Sequence, residues 1–237
     1  MFFTLKIGKS FSFTVLLLTL ITIAAVVLSC IFSSGAQETA VEAEGLPTLV
    51  IDPGHGGIDS GAVSISGVKE SDINLSIALR LKHIAEFFGI PVLMTRSDDS
   101  ISSDAARYSE RQELVRRTEI ANSAPSAVLI SIHQNYFPTS QPGGAQVLYA
   151  DEPGSRELAE QCQNNILTFS EPQSRRLAEP APDKLYITSH VNCPAILVEC
   201  GFLSNFSDLE KLCDPTYNTG FAALLAGSYM QFQNRLY

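Results

Sequence analysis

A series of short apolar runs separated by helical patterns limits the fold of this sequence more than any other feature. The clearest run is AVLISIH (residues 127–133), whose unbroken aliphatic character is typical of a strand buried on both faces. Further strands are predicted at 48–52 (TLVID), 90–95 (IPVLMT), 146–149 (QVLY) and 194–199 (PAILVE), and helices at 71–88, 110–121, 155–167 and from 218 to the C-terminus. Strands that alternate with helices predict a single α/β domain, with a mostly parallel central sheet flanked by helices on both faces.

The first predicted helix has recognisable end signals and one apolar face. Ser71 is placed to cap its N-terminus, and Gly89 follows its last residue. Apolar residues recur at spacings of three and four, which favours one buried face made of Ile73, Ile77, Leu81, Ile84 and Phe88. His83 lies off this face and is expected at the surface.

The N-terminus carries a different signal. Lys6 and Lys9 precede an uncharged, largely apolar run at residues 11–32, which is long enough to cross a bilayer core of about 30 Å as a hydrophobic helix. Three interpretations stay open: a retained anchor, a signal peptide cleaved near Ala36, and a lipoprotein acylated at Cys30. Each of them exports the rest of the chain, because the lysines favour the cytoplasmic side. The predicted organisation is a signal or anchor segment at 1–36, a linker at 37–46 and a catalytic domain at 47–237.

Charge and cysteine content restrict the partners. All 25 Asp and Glu residues lie after residue 36, so the exported part is strongly acidic, and nucleic acid is excluded as a partner. The four cysteines beyond Cys30 have no metal-ligand spacing. They are predicted to be core residues, although the sequence alone leaves disulfides open. They are Cys162, Cys193, Cys200 and Cys213.

Four residues form a candidate metal site. His55, His133 and Glu199 each stand at or just after the end of a predicted strand, where sites collect in open α/β sheets. Glu70 lies at the start of the helix into which the His55 loop leads. Two histidines and one carboxylate can hold zinc with a position left for water, while a further carboxylate serves as base. Taken singly, each residue also has an ordinary explanation. His55 fits a turn residue and His133 a buried hydrogen-bonded histidine. Glu199 fits a paired buried carboxylate, and Glu70 a solvated residue at a helix start.

Ordered motifs strengthen this hypothesis. The chain resembles the zinc-dependent type 3 family of N-acetylmuramoyl-L-alanine amidases over residues 48–237. The motifs that carry the resemblance are VIDPGHGGIDSGAV (50–63), KESDINL (69–75), MTRSDD (94–99), RRTEIAN (116–122), LISIHQN (129–135) and PAILVECGFLSN (194–205). The resemblance implies one Zn²⁺ per chain held by His55, Glu70 and His133, with Glu199 as the catalytic residue.

The same resemblance implies a substrate and a reaction. The substrate is the peptidoglycan glycan strand with its stem peptide, cut at the amide between N-acetylmuramic acid and L-alanine. Asn135 and Gly57 are expected to contribute to substrate binding, Gly56 and Gly57 by leaving the backbone open to a bulky glycan and Asn135 by orienting the substrate or supporting His133. Within the family the chain is similar to the germination-specific amidases of spore formers, which implies a role in making muramic δ-lactam in the spore cortex.

Several alternatives remain at this stage. The same four residues suit a zinc peptidase that cuts within the stem peptide, and the fold suits a non-catalytic peptidoglycan-binding protein. A partner protein that activates the enzyme is a further expectation, because the chain has no visible wall-binding module. His190 is a candidate cleft residue, since it lies in a loop close to the 194–199 strand.

Overall fold

A computed structural model describes residues 47–102 and 108–236 of the chain. The predicted signal or anchor segment (1–36) and linker (37–46) lie outside these residues. In the part that is described, no helix is both long enough and apolar enough to span a membrane.

The fold is the α/β domain that the sequence predicts. Its strands are β1 (Leu49–Pro53), β2 (Val92–Met94), β3 (Val128–Asn135), β4 (Gln146–Tyr149), β5 (Glu179–Pro180) and β6 (Ala195–Phe202). Its helices are α1 (Glu70–Phe87), α2 (Glu110–Ser123), α3 (Ser155–Phe169), α4 (Tyr186–His190), α5 (Phe206–Leu212) and α6 (Pro215–Leu236). β5, α4 and α5 were not predicted, because they are too short to show a periodic pattern in the sequence.

The six strands form one sheet in the order β2-β1-β3-β6-β4-β5. The pairs β1–β2, β1–β3, β3–β6 and β4–β5 are parallel, and β4 is antiparallel to β6. The mostly parallel sheet is therefore confirmed. The carboxyl ends of β1, β3 and β6 lie at one edge, whereas β4 presents its first residues there because it runs the opposite way.

Apolar residues cover both faces of the sheet. The larger core packs one face against α1, α3, α5 and α6, and the smaller core packs the other face against α2 and α4. Alternation assigns residues to faces: Ile130 and Ile132 of β3 join the larger core, and Leu129 joins the smaller one. Each fully buried Leu or Ile stabilises the fold by about 1.5–3 kcal/mol. The helices on both faces are thus packed against the sheet through these two cores.

Two expectations for the first helix are wrong. α1 begins at Glu70, with Lys69 before it, and the cap makes no side-chain hydrogen bond, so Ser71 is not the cap. The backbone carbonyls of Ala62 and Ser60 instead accept the N–H groups of Glu70 and Ser71. Phe88 lies beyond the helix and is 54% exposed, because the chain turns away at Gly89, which has a positive φ of 72°.

The cysteines are core residues with one exception. Cys162, Cys193 and Cys200 are buried, and Cys213 is exposed because it follows the last turn of α5. These four cysteines are free thiols. Burial raises the pKa of Cys162 to about 12, which makes this thiol unreactive.

Candidate metal centre

Three of the residues predicted from the sequence come together at the carboxyl edge of the sheet. His55 follows β1, His133 lies near the end of β3, and Glu70 is the first residue of α1. One ligand atom from each lies within 4.8 Å of the other two. Glu70 Oε1 is 3.3 Å from His55 Nε2 and 2.9 Å from His133 Nδ1. Two imidazole nitrogens and a carboxylate oxygen converge, as in catalytic zinc sites that leave one position open.

The backbone around this cluster is tightly constrained. His55 has a positive φ of 61°, which is uncommon for a residue other than glycine. A Cβ atom at Gly54 would lie 2.2 Å from the His133 ring. A Cβ atom at Gly61 would lie 2.6 Å from Glu70 Oε2 and 2.7 Å from the His55 ring, and Gly61 also has a positive φ of 63°. Glycine is therefore required at both positions for the three side chains to meet.

Glu70 is held as an anion by several donors. Its Oε1 accepts hydrogen bonds from the backbone N–H of Gln134 at 3.1 Å and from Asn74 Nδ2 at 3.4 Å, and its Oε2 accepts one from the backbone N–H of Ala62 at 3.0 Å. Burial alone would raise the pKa of Glu70, but the hydrogen bonds and charges of His133 and His55 outweigh it and hold the pKa well below its usual range.

Asp59 orients the first histidine. Its Oδ2 is 2.8 Å from His55 Nδ1, so His55 Nε2 faces Glu70. Burial lowers the pKa of His55, but hydrogen bonds to Asp59 and Glu70 outweigh it and raise the pKa to about 10. A carboxylate behind a histidine ligand fixes the ring and increases its basicity. The cluster therefore favours a positive charge at its centre, carried by a proton or by a metal ion.

Glu199 contributes a carboxylate of a different kind. It pairs with His133 across β3 and β6, and its Oε2 is buried without a hydrogen-bond partner among the residues that the structure describes. Burial raises the pKa of Glu199 to about 7, a shift that the charge of His133 opposes and that of Glu70 reinforces. An unpartnered carboxyl group with a pKa near neutrality is suited to accepting and releasing a proton.

A buried network of hydrogen bonds and ion pairs, which was not predicted from the sequence, lies beneath the loop that carries His55. Arg117 of α2 donates to Asp52 Oδ1 at 2.9 Å, to Pro53 O at 2.7 Å, to His55 O at 2.6 Å and to Glu113 Oε1 at 2.7 Å. Asp52 also accepts hydrogen bonds from Thr95 and Ser131, and its pKa is lowered, because Arg117, His133 and these hydrogen bonds outweigh the effect of burial. The loop that carries His55 is thus fixed from below.

Arg96 completes this support. It donates to Pro53 O at 2.9 Å, to Gly54 O at 3.1 Å and to Ser71 O at 2.9 Å, which ties the loop to the start of α1. Burial and the nearby charge of Arg117 lower the pKa of Arg96 to about 10. Arg96 and Arg117 both lie within the quoted sequence motifs, and the available signal was Asp52, a carboxylate at the end of an apolar strand that needs a buried cation as its partner.

The remaining predicted residues have other surroundings. A Cβ atom at Gly56 would lie 2.4 Å from Ser100 O, and Gly57 donates its N–H to Asp99 Oδ1 at 2.8 Å. The expectation that the backbone is open is therefore wrong for Gly56, which is buried against the following loop, whereas Gly57 is half-exposed; both have positive φ values. Asn135 ends β3, and its Oδ1 accepts the N–H of Tyr136 at 2.8 Å rather than supporting His133.

Two further histidines lie apart from the cluster. His83 is exposed on α1, as expected. His190 ends α4, where its ring stacks on Tyr186 and its carbonyl accepts a hydrogen bond from Asn122 near the end of α2. Because α2 ends where the chain returns toward the start of β3, His190 lies at the opposite edge of the sheet. The suggestion that it lines the cleft is therefore wrong.

Comparisons with known proteins agree with the motifs. The profile of the N-acetylmuramoyl-L-alanine amidase family matches residues 49–228. The chain is 31% identical over 189 residues to the germination-specific N-acetylmuramoyl-L-alanine amidase of Bacillus subtilis, covering 78% of each protein. It is 32% identical over 173 residues to the Bacillus subtilis amidase LytC, covering 72% of this chain and 32% of LytC.

Solved structures give the same result. The CwlD amidase of Clostridioides difficile, solved in complex with the GerS lipoprotein, is 34% identical, with a TM-score of 0.74 over 79% of this chain and 98% of that one. The amidase AmiC2 of Nostoc punctiforme is 31% identical, with a TM-score of 0.69 over 80% and 98% of the two chains. The chain therefore belongs to the N-acetylmuramoyl-L-alanine amidase family.

Proposed function

We propose that the chain hydrolyses the amide between N-acetylmuramic acid and L-alanine in peptidoglycan with one zinc ion held by His55, Glu70 and His133. The observation that carries this proposal is the convergence of these three side chains beside Glu199, whose buried Oε2 has no hydrogen-bond partner among the described residues. The donor set fits zinc, because imidazole nitrogen suits this metal and the carboxylate supplies a hard oxygen. Asp59 behind His55 provides the usual support for a ligand histidine.

The chemistry divides between the metal and Glu199. A bound zinc ion supplies Lewis-acid polarisation of the scissile carbonyl and makes water a better nucleophile near neutral pH. Glu199 accepts a proton from the attacking water and donates it to the departing amine of L-alanine. A pKa of about 7 suits both transfers, and the positive charge of a metal nearby would favour the carboxylate form that the first transfer needs.

Digestion of purified peptidoglycan tests this activity. The protein with zinc should release intact stem peptides that begin with L-alanine, and a chelator should stop their release. Mass spectrometry of the products separates the alternatives, because a peptidase acting within the stem would leave shortened peptides on the sugar. A protein that only binds peptidoglycan would release no peptide.

We further propose that the substrate is spore-cortex peptidoglycan and that the product leads to muramic δ-lactam. The germination-specific amidase of Bacillus subtilis and the CwlD structure support this assignment through their similarity to the chain. Cortex and vegetative peptidoglycan should be digested in parallel, with a deacetylase added in a second step. Faster digestion of cortex and δ-lactam formation are expected, and equal rates without δ-lactam would contradict the assignment.

We also propose that the enzyme acts outside the cytoplasmic membrane and binds an activating partner protein. The first proposal is supported by the location of peptidoglycan and by the apolar run at 11–32. The second is supported by the complex of the similar CwlD amidase with a lipoprotein. The mass of the mature N-terminus distinguishes a retained anchor from cleavage near Ala36 and from acylation at Cys30. Co-purification from the native cell envelope tests the partner.

A further inference from the structure

A row of three paired residues crosses the sheet at the site. His133 of β3 pairs with Glu199 of β6, and Glu199 pairs with Gln146 of β4. Residues that are paired on neighbouring strands point to the same face, and neighbouring strands lie about 4.8 Å apart. The row therefore extends about 10 Å from a metal-site histidine, past the proton-transferring carboxyl group, to Gln146.

Arg176 stands at the outer end of this row. Its Nη1 donates to Gln146 Oε1 at 2.5 Å, and its Nε donates to Gly143 O at 3.1 Å. Its guanidinium carbon lies 5.1 Å from the centre of the Phe202 ring, in a cation–π contact at the end of β6. These three contacts hold the half-buried guanidinium group in one orientation beside the site.

Arg176 forms no ion pair with an acid of the described chain, residues 47–102 and 108–236. Burial raises the pKa of Glu171, and the charge of Arg176 acts to lower it. The nearby Glu171 directs both of its carboxylate oxygens to the backbone N–H of Ala145. Arg176 thus places a fixed cation, with Glu171 near it but no carboxylate bonded to it among the described residues, at the edge of the site in a domain that is strongly acidic overall.

This arrangement matches one feature of the proposed substrate. A guanidinium group presents parallel N–H donors that suit a carboxylate. In a stem peptide whose second residue is γ-linked glutamate, the α-carboxylate of that residue is free. Two extended residues span about 7 Å, which lies between the spacing of about 5 Å from Glu199 to Gln146 on the neighbouring strand and the length of about 10 Å of the whole row.

We propose that Arg176 binds this stem-peptide carboxylate and so places the scissile amide against Glu199. Gln146 and Phe202 position the arginine, and the peptide leaves the site along the row from Glu199 toward β4. This inference rests on the proposed amidase function and adds to it a specificity for acidic over amidated stems.

Paired substrates test the proposal. The full-length protein is given N-acetylmuramyl tripeptides that differ only in whether the second residue carries a free α-carboxylate or an amide. The wild type should prefer the carboxylate in kcat/KM by about 10- to 100-fold, the range expected for a hydrogen-bonded charge pair. Arg176→Ala should lower this ratio toward one, mainly through KM, and Arg176→Lys should retain part of it. The exposed neighbour provides the control, because Arg175→Ala should keep the full ratio.

The outcomes separate this proposal from the proposed function. A wild-type ratio near one, or an Arg176→Ala protein that is slower on both substrates with the ratio preserved, would overturn the carboxylate site and leave a structural role for Arg176. Thermal unfolding of each variant identifies a folding defect. If Arg176→Ala does not fold, the ratio of kcat/KM between the two substrates is measured on Arg176→Lys instead. Calorimetric binding of both substrates to the Glu199→Gln protein gives the same ratio without cleavage, so absence of hydrolysis would count against the amidase function alone.

Discussion

The two carboxylates at this site, Glu70 and Glu199, have opposite surroundings. Glu70 accepts hydrogen bonds from two backbone N–H groups and from Asn74 and lies against both histidines, so its pKa is held far below the usual range. Glu199 has a buried oxygen with no partner among the described residues, and its pKa is raised to about 7. The difference shows that surroundings assign the roles: a carboxylate fixed as an anion suits a metal ligand, and one left unpaired suits proton transfer.

The largest expected effect comes from removing the fixed carboxylate. Glu70→Ala leaves two histidines, which are too few to retain zinc, so amide cleavage should fall by at least about 10⁴-fold, as expected when metal and acid–base chemistry are both lost. Zinc content after gel filtration and release of stem peptides check this. Glu86→Ala, an exposed glutamate on the same helix, is the control. Full zinc occupancy in Glu70→Ala would show that Glu70 is not a ligand.

The second carboxylate should respond differently. Glu199→Gln keeps the size of the side chain but cannot accept a proton, so activity should fall by about 10²–10⁴-fold while zinc stays bound. The same zinc and cleavage assays apply, with the exposed Glu179→Gln as control. Loss of zinc from Glu199→Gln would mean that this residue is a ligand.

Replacing a residue that orients a ligand should reduce zinc binding less than replacing a ligand itself. Asp59→Asn retains an acceptor for the N–H of Gly61 but weakens the bond to His55, so zinc affinity should fall about 10- to 100-fold. Competition with a chelator measures the affinity, and excess zinc should restore activity. Asp72→Asn, exposed in the first turn of α1, should leave the affinity unchanged. An Asp59→Asn protein with wild-type affinity would show that His55 is oriented by the backbone alone.

The smallest effect concerns stability and pH. The pKa of His55 is raised from 6.5 to about 10 in the folded protein, so its stabilising contribution is complete below about pH 6.5 and is lost as the pH rises toward 10. The metal-free protein should therefore lose at least about 1 kcal/mol over this range, or about 2–4 °C in Tm. The zinc-loaded protein should not show this loss, because the metal replaces the proton. Scanning calorimetry from pH 6 to 10 with and without a chelator measures both curves.

Most strands and helices of the fold are predictable from the sequence, because the patterns that indicate them lie within each element. β4 was predicted with its observed bounds, and β1, β3, α1 and α2 to within a few residues, because apolar runs and helical spacing persist along each of them. His55 and His133 were expected at strand ends that share one edge of a parallel sheet, and Glu70 at the start of the helix that follows, while the family resemblance supplied the choice of these three as ligands.

Other features depend on contacts between distant segments. The four residues of β4 do not indicate that it runs antiparallel to β6. α4 and α5 have 5 and 7 residues, at most about two helical turns, so no repeating apolar pattern reveals them. The support of the His55 loop by Arg96 and Arg117 joins segments more than 40 residues apart. Sequence motifs contain these arginines, but only the fold shows that their donors reach backbone carbonyls.

Anomalous scattering at the zinc edge from crystals of the zinc-loaded protein shows which residues bind the metal and which of the two glutamates is a ligand. We expect one strong peak in contact with His55 Nε2, a carboxylate oxygen of Glu70 and a ring nitrogen of His133, with Glu199 nearby but not bonded to the metal. A peak coordinated by Glu199, or zinc bound away from these three residues, would contradict the division of roles between the two carboxylates.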